Sequence, residues 1–344
     1  MKKIRRFAMV GGTITALVVA PFAAVPASAS PHTTITELPA LTKGTVGEAR
    51  AVNDAGQAAG KSFTPDGAAH AVRWNADGSI TDLGAPFGVD WSEAWGINGS
   101  GVVVGSHDGD GHRNPTRWAP DGTASTLGLP VGAVGGEARA VNDAGVIVGW
   151  TQVDGKDHAV RWDPDGAVTD LGPGTGGQRS DAWGINNDGV IVGDADGPGV
   201  AIGEAVRWNT DGTVTRLGTL QGNGQGYSTP SGISKSGTVV GYSSGADGYT
   251  HPVTWTAAGT IRELPALPGA AKADGYAYAI NADGTIVGEA QAADFYRTAV
   301  RWSPDGSVTD LRFLPDRAGG LARGINTAGV IVGDSTGIAT RWTD

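Results

Sequence analysis

Short runs of β-branched and aliphatic residues alternate along most of this chain with clusters of Gly, Asn, Asp, Ser and Pro. Runs such as Val146-Ile147-Val148-Gly149 are nearly continuous rather than alternating, the pattern of strands buried on both faces. No stretch carries a helical period. The pattern also repeats. The clearest copy reads Ala138-Arg139-Ala140-Val141-Asn142-Asp143-Ala144-Gly145-Val146-Ile147-Val148-Gly149 and resumes at His158-Ala159-Val160-Arg161-Trp162-Asp163-Pro164-Asp165-Gly166-Ala167-Val168-Thr169-Asp170-Leu171-Gly172. Seven such units, each about 45 residues long, cover most of the chain.

Each unit predicts four short strands. An Asn-x-x-Gly turn joins the first two: Asn suits its first position and Gly the positive φ that closes it. It recurs at Asn53, Asn98, Asn142, Asn186, Asn281 and Asn326, with Ser234 as the variant. The third strand ends in Arg-Trp, as at Arg161-Trp162, and an Asp-Gly turn leads to a fourth of the form Val-Thr-Asp-Leu. Four antiparallel strands per repeat predict an all-β fold, a seven-bladed β-propeller of four-stranded antiparallel blades. The last unit stops after its third strand, while an orphan fourth strand, Thr34-Ile35-Thr36-Glu37-Leu38, lies near the other end. The ring is therefore expected to close by pairing residues 33–38 with the last three strands, residues 321–342, which removes the exposed edges.

The turn before the fourth strand sets a finer expectation. A two-residue Asp-Gly turn would place the repeated Arg opposite the repeated acid, as in Arg161/Asp170, and Arg341 opposite Glu37. Pro120, Pro164 and Pro304 favour a three-residue turn with a bulge instead, which sets Trp162 against Val168 and leaves the ion pair diagonal. Arg207/Arg216 breaks the charge pattern.

Composition narrows the function. The basic head Lys2, Lys3, Arg5, Arg6, the uncharged apolar run to Val25 and Ala27-Ser28-Ala29 read as a signal peptide over residues 1–29. A single propeller domain over residues 30–344, secreted and without a stable membrane anchor, is expected. The chain has no cysteine, so it has neither disulfide nor thiolate chemistry. Its net charge is −10 and no basic cluster follows the signal segment, which argues against nucleic-acid binding. No cofactor, metal or catalytic motif is found. The carboxylates around His107–His112 and Asp194–Gly197 read as solvated turns rather than calcium loops. His70, His158 and His251 occupy equivalent repeat positions.

The pairing of [Ala/Gly]-[Val/Ile]-Asn-x-x-Gly-x-[Val/Ile]-Val-Gly with a downstream Ala-x-Arg-Trp and Asp-Gly resembles the HAF repeat, a family of extracellular bacterial repeats. The resemblance implies secretion and a repeat fold, and supplies no catalytic residues.

Repeated residues are expected to build blades, leaving function to what varies. The second-to-third and blade-to-blade connections differ most, and both lie on one face. Six aromatics on that face, Phe87, Trp91, Trp150, Tyr249, Phe295 and Tyr296, are the candidate binding residues. They suit an extracellular carbohydrate or protein ligand, bound by a monomer. The alternatives are a structural scaffold, or a glycan-processing enzyme drawing a carboxylate pair from Glu93, Asp181, Glu204 and Asp274.

Overall fold

The computed structural model describes residues 33–344 except 85, 173–175, 198–199, 223–224 and 295. The expected signal segment, 1–29, and Phe295 lie outside the described residues. Seven four-stranded antiparallel sheets form the blades of a propeller. Blade three is typical, with strands Ala133–Val141, Ile147–Val153, Lys156–Trp162 and Val168–Asp170 from centre to rim. Blade seven takes its rim strand, Thr34–Glu37, from the chain's beginning and pairs it with Ile338–Thr343. The closure read from the sequence is the closure observed.

The hydrophobic core is divided into seven wedges between blades. One joins Ala59 and Ala71 of the first blade to Ala94, Val103 and Trp118 of the second. The repeated Trp fills each wedge: Trp74, Trp118, Trp255 and Trp342 are fully buried. Several indole N–H groups donate to a carbonyl on the approach to their own blade, as Trp162 does to Gly128 (2.6 Å) and Trp302 to Pro265 (2.8 Å).

The repeated Asn does more than start a turn. Its side-chain carbonyl accepts from the amide four residues on, as Asn142 does from Val146 at 3.0 Å. Its NH2 group donates to the backbone carbonyl of the matching residue in the next blade. The links run Asn53 to Asn98, to Asn142, to Asn186, to Ser234, and from Asn281 through Asn326 back to Asn53. Ser234 keeps the turn contact, accepting from Thr238, but its hydroxyl carries no amide arm. The belt has its gap there.

The three-residue turn is the one observed. Asp163 and Ala167 flank it, Gly166 takes φ +90°, and Trp162 faces Val168. The expected Arg–acid pair does not form across it. Asp170 instead meets His158 at 2.9 Å, and Asp82 meets His70 at 3.0 Å. Arg216 no longer breaks a rule, because its partner is Glu204: the two charges are exchanged. Glu37 faces Thr340 rather than Arg341. The repeated Arg reaches sideways, from Arg73 to the Pro120 carbonyl, Arg207 to that of Ala257 and Arg341 to that of Gly56. Each of these carbonyls belongs to the next blade, so the guanidinium ties blades together.

Candidate functional site: the central channel and the loop face

The second-to-third connections of blades two and three are not irregular loops. In blades two and three the strands extend to Asp110-Gly111 and Asp154-Gly155, two-residue turns with both φ values positive. Such turns match the twist of the flanking strands. His107–His112 is thus a tight hairpin, with His107 turned inward to the Thr116 hydroxyl (2.7 Å).

This redistributes the six aromatics. Trp150 sits in a strand opposite Glu137, not in a loop. Tyr249 is exposed, but Lys272 covers its ring at 3.2 Å. Tyr296 is 64 % exposed and stands on the surface. Phe87 lies in the short 3-10 turn Pro86–Gly88. Trp91 lines a cleft of about 390 Å³ shared with Phe63, Asp66, Ala69 and Asp90. The Thr64 hydroxyl and local backbone amides hold the Asp66 carboxyl below the usual range, so it stays an acceptor. Arg113 lies over the Trp91 ring, 4.8 Å from its centre.

Arg113 leads from this cleft to the channel. It pairs with Glu137 and lies 3.7 Å from Glu93. Glu93 also binds Arg50 at 2.9 Å and approaches Lys61. Glu204 and Asp274 are likewise neutralised, by Arg216 and Arg297. Asp181 has a different neighbour: Asp194 faces it across the strand pair. Burial, then the charge of Asp194, push Asp181 up to about 7; burial pushes Asp194 up to about 6, although Trp183 donates to it at 2.6 Å.

That pair sets a pH dependence. A carboxyl raised on folding keeps a proton that the unfolded chain releases, so stability falls as pH rises from the ordinary value, 3.8, through about 7. Asp181→Asn removes the ionisation. Urea unfolding is expected to show the variant more stable than the parent by about 2 kcal/mol at roughly pH 8, and little changed near pH 4. An equal shift at both values would refute the assignment.

Deeper in the channel, each inner strand carries a bulge between the residues paired with the second strand. The extra residue faces the axis: Arg50, Trp95, Arg139, Trp183, Ser231, Tyr278 and Arg323 line one cavity in turn. Guanidinium and indole planes interleave, with Arg50 at 3.5 Å from the Trp95 ring, and Arg139 at 4.3 Å from Trp95 and 4.2 Å from Trp183. Tyrosines occupy the opposite arc, Tyr242 edge-on to Tyr276 at 4.8 Å and Tyr276 stacked over Tyr278 at 6.1 Å. Burial and Glu289 push the Tyr278 hydroxyl's pKa up, so it stays a neutral donor, to Glu289 at 3.1 Å. None of these channel aromatics was among the six. For Trp95, Trp183 and Tyr278 the signal is a variable position inside an otherwise repeated phrase, Ala-x-[Ala/Gly]-[Val/Ile]-Asn.

These features define the protein as a closed seven-bladed propeller with a polar, aromatic central channel. No known family's sequence profile matches the chain, and no curated protein sequence does. Among solved structures it resembles virginiamycin B lyase from Staphylococcus aureus, with 16 % identity over 91 % of this chain and 100 % of that one (TM-score 0.56). It also resembles a puromycin hydrolase, 16 % identical over 89 % of this chain and 55 % of that one (TM-score 0.56). The β-propeller domain of the trilobed protease from Pyrococcus furiosus, described as having an open velcro topology, is 10 % identical over 86 % and 93 % (TM-score 0.57). At such identities the likeness is one of fold.

Proposed function

We propose that this chain is a secreted HAF-repeat binding module that acts as a monomer and takes an extracellular carbohydrate on its loop face. The observation that carries this reading is the Trp91 cleft. An indole plane there lies beside two carboxylates, Asp66 and Asp90, in a cavity of about 390 Å³. A flat apolar face stacks on the C–H side of a sugar ring, and carboxylates accept from its hydroxyls. A cleft of this size suits a short glycan segment rather than a protein surface.

The test is a glycan and cell-wall binding array, followed by titration of whatever the protein retains. Trp91→Ala is expected to weaken binding about tenfold or more, while Tyr296→Ala leaves it unchanged. Retention of no glycan, or a Trp91→Ala variant binding as the parent does, would overturn the carbohydrate reading. A glycan-processing role rests on the Asp181–Asp194 pair. It requires product release from the retained glycan that Asp181→Asn abolishes.

A further inference from the structure

The channel has a second end, away from the Trp91 cleft. Its cavity, about 240 Å³, is lined by three positions in every blade: the bulged residue and the two that follow it. The last of the three is aliphatic in all seven blades, Val52, Ile97, Val141, Ile185, Ile233, Ile280 and Ile325. It immediately precedes the Asn or Ser that opens the first turn. Entering from the face of the short turns, a ligand first meets this apolar collar. It then reaches the ring of arginines and indoles.

That ring holds hydrogen-bond donors that the protein does not satisfy. Arg50 is nine-tenths buried, yet its Nε and Nη1 have no acceptor; the same is true of Trp95 Nε1, Arg139 Nε and Arg323 Nε. All four residues lie on one arc of the cavity wall. Buried donors of this kind cost free energy unless an acceptor meets them. Arg50 pairs with Glu48 and Glu93, and Arg139 with Glu137, through Nη2, which leaves those other donors open.

We propose that the turn-side end of the channel is a second ligand site, for an oxyanion carried on a narrow apolar stem. The oxyanion accepts from Arg50, Trp95, Arg139 and Arg323, and the stem packs against the aliphatic collar. Guanidinium and indole N–H groups are the donors that oxyanion sites use, and charge-assisted bonds are the stronger kind. The cavity holds a stem of a few carbons, not a long chain. This site is separate from the carbohydrate cleft and goes beyond the function proposed there.

The experiment follows the indole N–H resonances of the protein while hexanoate, hexyl phosphate or hexanol is added. The Trp95 signal is assigned by its loss in Trp95→Phe. Hexanoate or hexyl phosphate is expected to shift it saturably, the tighter of the two showing which oxyanion fits, while hexanol leaves it in place. Arg50→Lys keeps a charge beside Glu48 and Glu93 but loses the free Nε and Nη1 donors; it is expected to weaken binding about tenfold or more. An unmoved Trp95 signal, an equal response to hexanol, or unaltered binding by a folded Arg50→Lys variant would each sink the proposal. Should that variant fail to fold, the indole shift in the unaltered protein decides. Trp91→Ala is expected to leave hexanoate binding as it was, so this site and the carbohydrate cleft can fail separately.

Discussion

Gly149→Ala is expected to destabilise the protein by about 3 kcal/mol or more, although it adds a single methyl group. A Cβ at this position would lie 1.9 Å from the Glu137 carbonyl oxygen and 3.0 Å from the Ala138 Cα. Both are backbone atoms of the paired strand, so no side-chain rotation relieves the contact. The clash falls where the inner strand shifts register between Ala138 and Ala140 to push Arg139 toward the axis. Separating the strands there breaks ladder hydrogen bonds and tilts Arg139 away from Trp95 and Trp183. Gly166→Ala is the control. Gly166 has φ +90° in its turn, and nothing lies within 4 Å of its Cβ direction. Its cost is the backbone strain alone, about 1 kcal/mol. Urea unfolding of both variants checks the claim, and it fails if Gly149→Ala costs no more than Gly166→Ala.

The same glycine shows how far the sequence could be read. Val-Ile-Val-Gly announces a buried strand, and the sevenfold repeat to which it belongs announces blades. The reason for Gly lies in a neighbouring strand that approaches too closely for any Cβ, a tertiary fact with no local mark. The Asn turn behaves likewise. Its carbonyl contact is local and follows from the residue type, but its NH2 donates about one repeat further along, in the next blade. Charge was read correctly by kind and wrongly by partner. The bulged turn fixes Trp162 against Val168, yet the side chains of Arg161 and Asp170 then lean apart, toward Asp163 and His158. Only a register with side-chain direction attached decides that. The loop face misled for a related reason. Variable composition suggests individual loops, whereas in blades two and three an Asp-Gly turn lets both strands of the hairpin run on, drawing Trp150 into a strand. The channel is hard to read from sequence because the bulged residues that face its axis sit within the repeated phrase, and the bulge itself has no local mark.

Removing residues 30–41 is expected to have the largest effect of any change considered, above about 5 kcal/mol, because that segment fastens the ring at three places. Thr34–Glu37 completes the blade-seven sheet against Ile338–Thr343. Leu38, 4 % exposed, enters the wedge between blades seven and one with Val332, Ala49 and Trp74, and its amide donates to Ala339 at 2.8 Å. Beyond it, the Pro39 carbonyl accepts from the Trp74 indole at 2.7 Å, and the Leu41 amide donates to Ser62 at 3.0 Å. Without the segment, Ile338–Thr343 becomes a bare edge, Trp74 loses its acceptor and one of the seven wedges loses its leucine. An open edge recruits another strand, so the truncated chain is expected to self-associate in size-exclusion chromatography and to unfold at much lower urea. A peptide spanning Thr33 to Leu41 supplies every group lost in these contacts. Added in trans, it is expected to restore the monomer and most of the stability, as donor-strand pairing does elsewhere. A truncated chain that stays monomeric with an unchanged midpoint would show that blade seven holds with three strands. The closing strand would then be an ornament on the ring rather than its clasp.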